Sequence, residues 1–251
     1  MAGRVKRGGV AARKARWLQR GRRILRWVAR ALAVFVVGSV LAVLAVRWID
    51  PPVTPLMIIR LVQGAVHWSW AGIDRRSEPL ARVSPALQRA VVAAEDAHFF
   101  THWGVDVDAL RKARAWNLRH ERQGRVRGAS TITMQCARNV FLWQGRTYVR
   151  KVLEIWFAGL MELLWNKHRI LEVYLNVIEW GPGVYGAEAA AHRYFGVPAA
   201  RLDARQAALL AAALPNPLTR NPGAPTPALD ARATRIARRA AGVRLRTLAI
   251  R

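Results

Sequence analysis

Apolar and polar positions along this chain fall into three successive patterns. The first is an uncharged run of sixteen residues, 31–46 (ALAVFVVGSVLAVLAV), bounded by Arg30 and Arg47. A spanning helix wants about 20 apolar residues, and the flanking arginines can snorkel while Trp27 and Trp48 sit at the two interfaces, so a transmembrane anchor is predicted over residues 31–48. A cleaved signal peptide and a buried core helix compete with this reading. No small-x-small cleavage site follows the run, and a soluble core helix rarely has eleven cations just before it. The second pattern follows the helix-breaking IDPPVTP of residues 49–55: LMIIRLVQGAVHWSWAG, residues 56–72. It reads as first-layer packing, with a surface resting on the bilayer as the alternative.

The third pattern runs from 84 to 214 and repeats apolar residues at spacings of three and four. Ser84 followed by Pro85 signals an N-cap and first turn, and ALQRAVVAA carries that helix to Glu95. Thr147 caps a predicted helix over YVRKVLEIWFAGLMELLW. KHRILEVYLNVIE forms another, stopped by WGPG, and GAEAAAHRYFG ends on the C-cap glycine Gly196. Asp203 and Gln206 have the spacing of a capping box ahead of ARQAALLAAAL, which Pro215 ends. Alternating strand patterns are scarce, so the fold class is mainly α. The expected organisation is a basic arm (1–30), the anchor (31–48), a membrane-proximal linker and lead-in (49–83), one helical domain (84–220) and a solvated basic tail (221–251) rich in Ala, Pro and Arg.

The formal charge of +26 would ordinarily suggest a polyanionic partner. Eleven of the cations lie in residues 1–30, which hold no acid, leaving +15 on the remainder. The positive-inside rule keeps such an arm in the cytoplasm and exports everything after Trp48, so its charge belongs to topology and no nucleic-acid partner is expected. The single cysteine, Cys136, cannot form an internal disulfide and reads as a buried thiol.

The chemistry concentrates in VVAAEDAHFFTHWGVD, residues 91–106. Glu95 falls at the C-terminal end of an apolar helix, where the macrodipole disfavours negative charge, and Phe99, Phe100 and Trp103 follow closely. A partly desolvated carboxyl of raised pKa, suited to general acid or base work, is the expectation. Asp96 reads as a brace of the loop, paired with an arginine. His98 and His102 lie four apart and could in principle bind a metal with Glu95. No HExxH order or third ligand accompanies them, and hydrogen-bonded structural histidines are the better reading.

Carboxylate chemistry on sugars usually draws on a second acid. Glu154 follows Arg150 by one helical turn and Arg146 by two, so the three would project from one helix face; a surface ion-pair ladder has the same spacing. Upstream, GASTITMQCARN (128–139) places small residues and hydroxyls, Gly128 to Thr131, at a helix start where backbone amides could meet an anion. Gln135 and Arg138 lie one and two turns further on. Alone, this segment is no more than an N-cap.

In combination the blocks EDAHFFTHWGVD, GASTITMQCARN, RKVLE, KHRILEVYLNVIEWGPGVYGAEAAAHRYFG and LLAAALPNP, ordered between Ala90 and Asn216, resemble the family 51 glycosyltransferases. These are the peptidoglycan polymerases, and the resemblance is greatest to their monofunctional, membrane-anchored biosynthetic members. The resemblance implies a lysozyme-like helical catalytic domain outside the bacterial inner membrane that polymerises lipid II. It implies that Glu95 is the general base and Glu154 a second essential carboxylate in the same cleft. By the same match Ser130, Thr131, Gln135, Arg138, Asn139, Arg146 and Arg150 line the pyrophosphate and sugar site, while Glu172 and Asn176 fall in a block that mainly shapes the cleft and join Asp96 and His102, read above as structural, in supporting it. A divalent cation, Mg or Mn, is a candidate aid to the departing pyrophosphate, with no certain protein ligand. The implied partners are lipid II, the growing glycan strand, the membrane and other cell-wall synthesis proteins. A separate transpeptidase is among them, since about 35 residues after 216 are too few for such a domain.

The chain departs from the family pattern in three places: GAST where many relatives have two glycines, Met134 where glutamine is frequent, and Arg138 where lysine is usual. Arginine keeps the charge but changes the donor geometry. A lysozyme-like lytic enzyme would share the fold, yet cutting a neutral glycosidic bond gives no use for clustered cations. A non-catalytic scaffold of cell-wall synthesis would not explain the complete residue set.

Overall fold

The computed structural model describes residues 6–66, 72–121, 127–145 and 147–245. By its internal contacts the chain divides into Met1–Ala45 and Val46–Arg251. The first unit is helical from Lys6 onward, as part of helix α1 (Lys6–Trp48). Within α1 the stretch Gln19–Trp48 is long and apolar enough to cross a membrane. Leu32, Val34, Val37 and Leu41 stand exposed along it, a pattern that water penalises and lipid does not. Trp27 and Trp48 are 21 positions apart on this helix. At 1.5 Å per residue that is about 32 Å, close to the hydrocarbon thickness of roughly 30 Å. The Arg30 guanidinium lies 5.4 Å from the Trp27 ring centroid and that of Arg47 5.2 Å from Trp48, pairing each aromatic with a snorkelling cation. The helix therefore begins well before the boundary at residue 31 and continues through the basic arm.

The second unit opens with α2 (Pro55–Val66), whose Leu56 and Met57 pack with Tyr185 while Ile58, Val62 and Val66 remain exposed. The second apolar segment is thus part core and part surface; its residues 67–71 lie outside the described ones. Helices α3 (Pro85–Glu95), α4 (Val107–Arg119), α5 (Ile132–Phe141), α6 (Tyr148–Leu164) and α7 (Lys167–Val177) follow. After α8 (Ala187–Phe195) and α9 (Ala204–Ala213), α10 (Pro227–Ala240) closes the series. The caps are where side-chain chemistry places them: Ser84, Thr131, Thr147 and Asn166 each accept a first-turn N–H, and Asp203 with Gln206 forms the capping box. Gly196 takes the left-handed conformation that ends α8.

The fold is mainly α, with one small sheet. Strands β1 (Asp74–Arg75), β2 (Glu179–Gly181) and β3 (Val184–Tyr185) lie in the order β1-β3-β2, parallel between β1 and β3 and antiparallel between β2 and β3. The WGPG segment that ends α7 turns this hairpin. Gly186, at φ +89°, must be glycine, because a Cβ there would collide with the Arg76 carbonyl oxygen. Arg60 of α2 donates to the buried Glu179 at 2.9 Å, tying the lead-in to the sheet.

Around this, α3, α9 and α10 pack on one another, and α5 lies against α6 and α7. Leu87, Ile132, Met161, Ile170, Leu175 and Leu210 are fully buried among them.

The expected solvated tail at 221–251 is corrected by α10, whose Leu229, Ala233, Ile236 and Ala240 are buried and which packs on α3 and α9. Their spacings of four, three and four make an apolar stripe. Thr226 and Pro227 start the helix with the same N-cap and first-turn signature as Ser84 and Pro85. Ala and Arg are strong helix formers, so a composition that looks tail-like suits a helix once a packing surface exists. Ile236→Ala should lower the unfolding free energy by about 2–4 kcal/mol in a denaturant titration, whereas the exposed Arg238→Ala should change it by no more than about 0.5 kcal/mol. A solvated tail would leave both variants unchanged.

Candidate active site

Glu95 is the last residue of α3, and Asp96 follows as its C-cap. The Asp96 carboxylate is buried and accepts from His102 Nε2 at 2.9 and 3.0 Å through its two oxygens, and from the backbone N–H of Ile132 at 3.0 Å. Its brace is thus a histidine and a helix N-terminus, not the arginine expected from the sequence. A carboxylate satisfied by a first-turn N–H gains from the helix dipole as well, which a surface arginine could not match. His98 Nδ1 meets Asp106 Oδ2 at 2.9 Å, while Asp106 caps α4 through the Ala109 N–H at 2.7 Å. Burial works against the Asp106 charge, but these bonds hold its carboxyl below the ordinary range. Both histidines are thereby engaged as structural donors.

Further pins fix the loop between α3 and α4. Lys167 Nζ donates to His102 O at 2.8 Å, pairs with Glu162 at 2.7 Å and sits 4.6 Å from the Phe99 ring centroid. Gly104, at φ +70°, abuts Glu162 and offers its carbonyl to the Thr131 hydroxyl. Thr131 also caps α5, so its hydroxyl serves the backbone on both sides.

Glu95 Oε2 receives Gln135 Nε2 at 2.9 Å, and Gln135 Oε1 receives the Tyr174 hydroxyl at 3.1 Å. Burial pushes the Glu95 carboxyl above its ordinary value; the Gln135 bond and the charges of Arg232 and Arg138 oppose this. Glu95 also lines a cavity of about 390 Å³ with Asp96, His98, Asp106, Ser130 and Thr131. Three cations face the same cavity: Lys112 of α4, Arg127 of the loop before α5, and Arg239 of α10. A titratable carboxyl of raised pKa on a cationic wall can accept a proton while the wall holds an anionic substrate.

Glu154 is placed differently from expectation. It is not on the cavity wall but buried, paired with Arg150 and, at 3.0 Å, with Lys151. Lys151 Nζ reaches Ser130 Oγ at 3.0 Å, so Glu154 connects to the cavity through a lysine and a serine. Arg150 is buried with it. The pair at spacing four is therefore neither a surface ladder nor a free phosphate clamp, because a carboxylate taken from water must keep its cations. Gln135 serves Glu95, and Asn139 is buried and accepts from Gln144 at 3.4 Å, bracing the turn after α5. Arg138 lies in the last turn of α5 with its Nε buried and without a hydrogen-bond partner among the described contacts. Arg146 lies outside the described residues.

The support residues hold the lead-in segment. Glu172 accepts the Leu80 N–H at 2.7 Å and pairs with Arg169; Asn176 clasps both the N–H and C=O of Glu78. Met134 is buried, which suits its apolar side chain. Sequence reasoning missed Lys112, Lys151, Tyr174, Arg232 and Arg239. For Lys151 the signal is its place three residues before Glu154; for the α10 arginines it is the Thr226–Pro227 helix start. Glu154 already carries two cations, and no cluster of three or more His, Cys, Asp or Glu fit for a metal occurs among the described residues. These residues do not fit a resident divalent ion.

A family model described as Transglycosylase matches residues 64–241, from the end of α2 to just past α10. The chain is 53% identical over 222 residues to a biosynthetic peptidoglycan transglycosylase of Rhodospirillum centenum, covering 88% of this chain and 93% of that one. It is 55% identical over 198 residues to a protein of the same name from Caulobacter vibrioides, covering 78% and 82% of the two chains. A third, from Pseudomonas putida, is 50% identical over 210 residues, covering 84% and 88%.

Arg150→Met should cost about 3–5 kcal/mol of stability by leaving Glu154 buried and short of a partner, and adding Glu154→Leu should recover most of that loss. Denaturant titration of both variants tests this. A penalty under about 1 kcal/mol for Arg150→Met would mark the pair as a solvated ladder.

Proposed function

The chain belongs to the transglycosylase family, and from that premise we propose that it polymerises lipid II into β-1,4-linked glycan, with Glu95 as the general base. It is a peptidoglycan glycosyltransferase. The observation that carries the assignment of the base is the setting of Glu95: a carboxyl at the carbonyl end of α3, raised in pKa by burial, open to a cavity lined by Lys112, Arg127 and Arg239.

The chemistry follows from the groups. The acceptor's sugar hydroxyl is a poor nucleophile near neutral pH. Glu95 takes its proton as oxygen attacks the anomeric carbon of the donor, and the bond from that carbon to the lipid diphosphate breaks with inversion. Charge builds on the departing diphosphate, and the cavity cations, with Arg138 and Arg232 in electrostatic reach of Glu95, stabilise it. Glu154 acts at a distance by holding Lys151 toward Ser130. The α1 helix anchors the enzyme in the bacterial cytoplasmic membrane by a single pass, with the basic arm in the cytoplasm and the catalytic unit outside, where lipid-linked substrate lies in the same membrane.

Glu95→Gln keeps the shape and the Gln135 contact but cannot accept a proton. Lipid II polymerisation by the purified, detergent-solubilised variant should fall by about 10²–10⁴-fold. Near-normal glycan synthesis would exclude Glu95 as the base. In the unsubstituted enzyme the active form is the deprotonated one, so activity should be full above the Glu95 pKa and lost as pH falls through it. Because burial raises that pKa, the acidic limb of the rate profile should lie above the ordinary carboxylate range.

A further inference from the structure

We propose that Tyr174 is a positioning residue for the reaction: through Gln135 it determines which end of an amide faces Glu95, and so keeps that carboxyl in its proton-accepting form. The inference rests on the reading of Glu95 as the base. Three helices meet in one chain of hydrogen bonds. Tyr174 of α7 donates its hydroxyl to Gln135 Oε1 at 3.1 Å, and Gln135 of α5 donates Nε2 to Glu95 Oε2, at the end of α3, at 2.9 Å. Tyr174 is 1% exposed, and burial pushes its phenol well above the usual range, so it remains a neutral donor throughout the working pH.

A primary amide has two unlike ends, and its orientation is decided by what each end meets. With Nε2 toward Glu95, the carboxylate meets a donor and the phenolic hydrogen meets an acceptor. Rotating the amide by half a turn would set the carbonyl against the carboxyl and the NH2 against the phenol oxygen. The phenolic hydrogen, on a residue sealed in the core, would then lose its acceptor, which is unfavourable. A carbonyl facing Glu95 would also favour the protonated acid, which cannot serve as a base. The buried hydroxyl thus biases a carboxyl it does not touch.

Other charges act on Glu95 without depending on this hydroxyl. Arg138 on α5 and Arg232 on α10 favour the ionised form, and Asp96 disfavours it. Across the cavity stand His98, Asp106, Lys112, Arg127 and Arg239. All remain when Tyr174 becomes Phe, so that substitution isolates the amide.

The test is the pH dependence of kcat/KM for lipid II polymerisation by the full-length, detergent-solubilised chain. Tyr174→Phe should move the acidic limb to higher pH by about one unit, the size expected for weakening one hydrogen bond to a charged group, with the high-pH plateau retained. In a Gln135→Ala background the same substitution should move the limb no further. Tyr174→3-fluorotyrosine, a stronger donor of nearly the same size, keeps the core filled and should move the limb the other way, providing the measurement should the Phe variant fold poorly. A merely structural role would depress the rate equally at every pH. An unshifted limb in the Phe and fluorotyrosine variants, or an equal shift with and without Gln135, would overturn the proposal. Glu95→Gln, run beside them, separates the two ideas: if it stays active the base assignment fails, and if it is dead while the limb stays put only the positioning role of Tyr174 fails.

Discussion

One buried carboxylate, that of Asp96, organises the site. By accepting from His102 and from the first turn of α5, it joins the end of α3 to the start of α5 and closes the loop between α3 and α4. That tie sets the carbonyl end of α3 beside the start of α5, where Gln135 reaches Glu95. The histidine and the helix N-terminus both prefer a negative partner, so Asp96 gains where it is placed. Its neighbour Glu95 does not: at the carbonyl end of α3 and walled by protein, it is held in a state of raised proton affinity. Two acids adjacent in sequence thus receive opposite environments, one held by donors and one raised in proton affinity by burial.

The cations divide in the same way. Arg150 is buried with Glu154, so that pair contributes rigidity more than reach. Lys151, on the same turn, is partly exposed and passes the influence of Glu154 to Ser130 on the cavity wall. Lys112, Arg127 and Arg239 bring positive charge from three different segments to one cavity. Spreading the cations over several elements gathers positive charge at the wall without crowding like charges on one helix face.

Helix α10 connects packing to chemistry. Its apolar stripe buries against α3 and α9, and the same helix carries Arg232 into electrostatic reach of Glu95 and Arg239 onto the cavity wall. Stability and charge placement are therefore coupled, because the residues that seat the helix also set where its guanidinium groups stand.

Much of this was legible in the residues alone. Local signals are written in contiguous sequence: the apolar run of the anchor, the caps at Ser84, Thr147 and Asp203, the glycine end of α8, and the placement of Glu95 at a helix terminus with raised pKa. Each depends on neighbours a few positions away, so spacing and side-chain type suffice. What the tertiary structure decided was partnership. Asp96 chose His102 over an arginine, Gln135 turned to Glu95, Asn139 went to Gln144, and Glu154 withdrew from the cavity to a buried pair. The stretch at 227–240 became a helix because α3 and α9 offered it a surface. These outcomes hinge on which polar groups lose water together, and that is a property of chain segments distant in sequence and adjacent only in the fold.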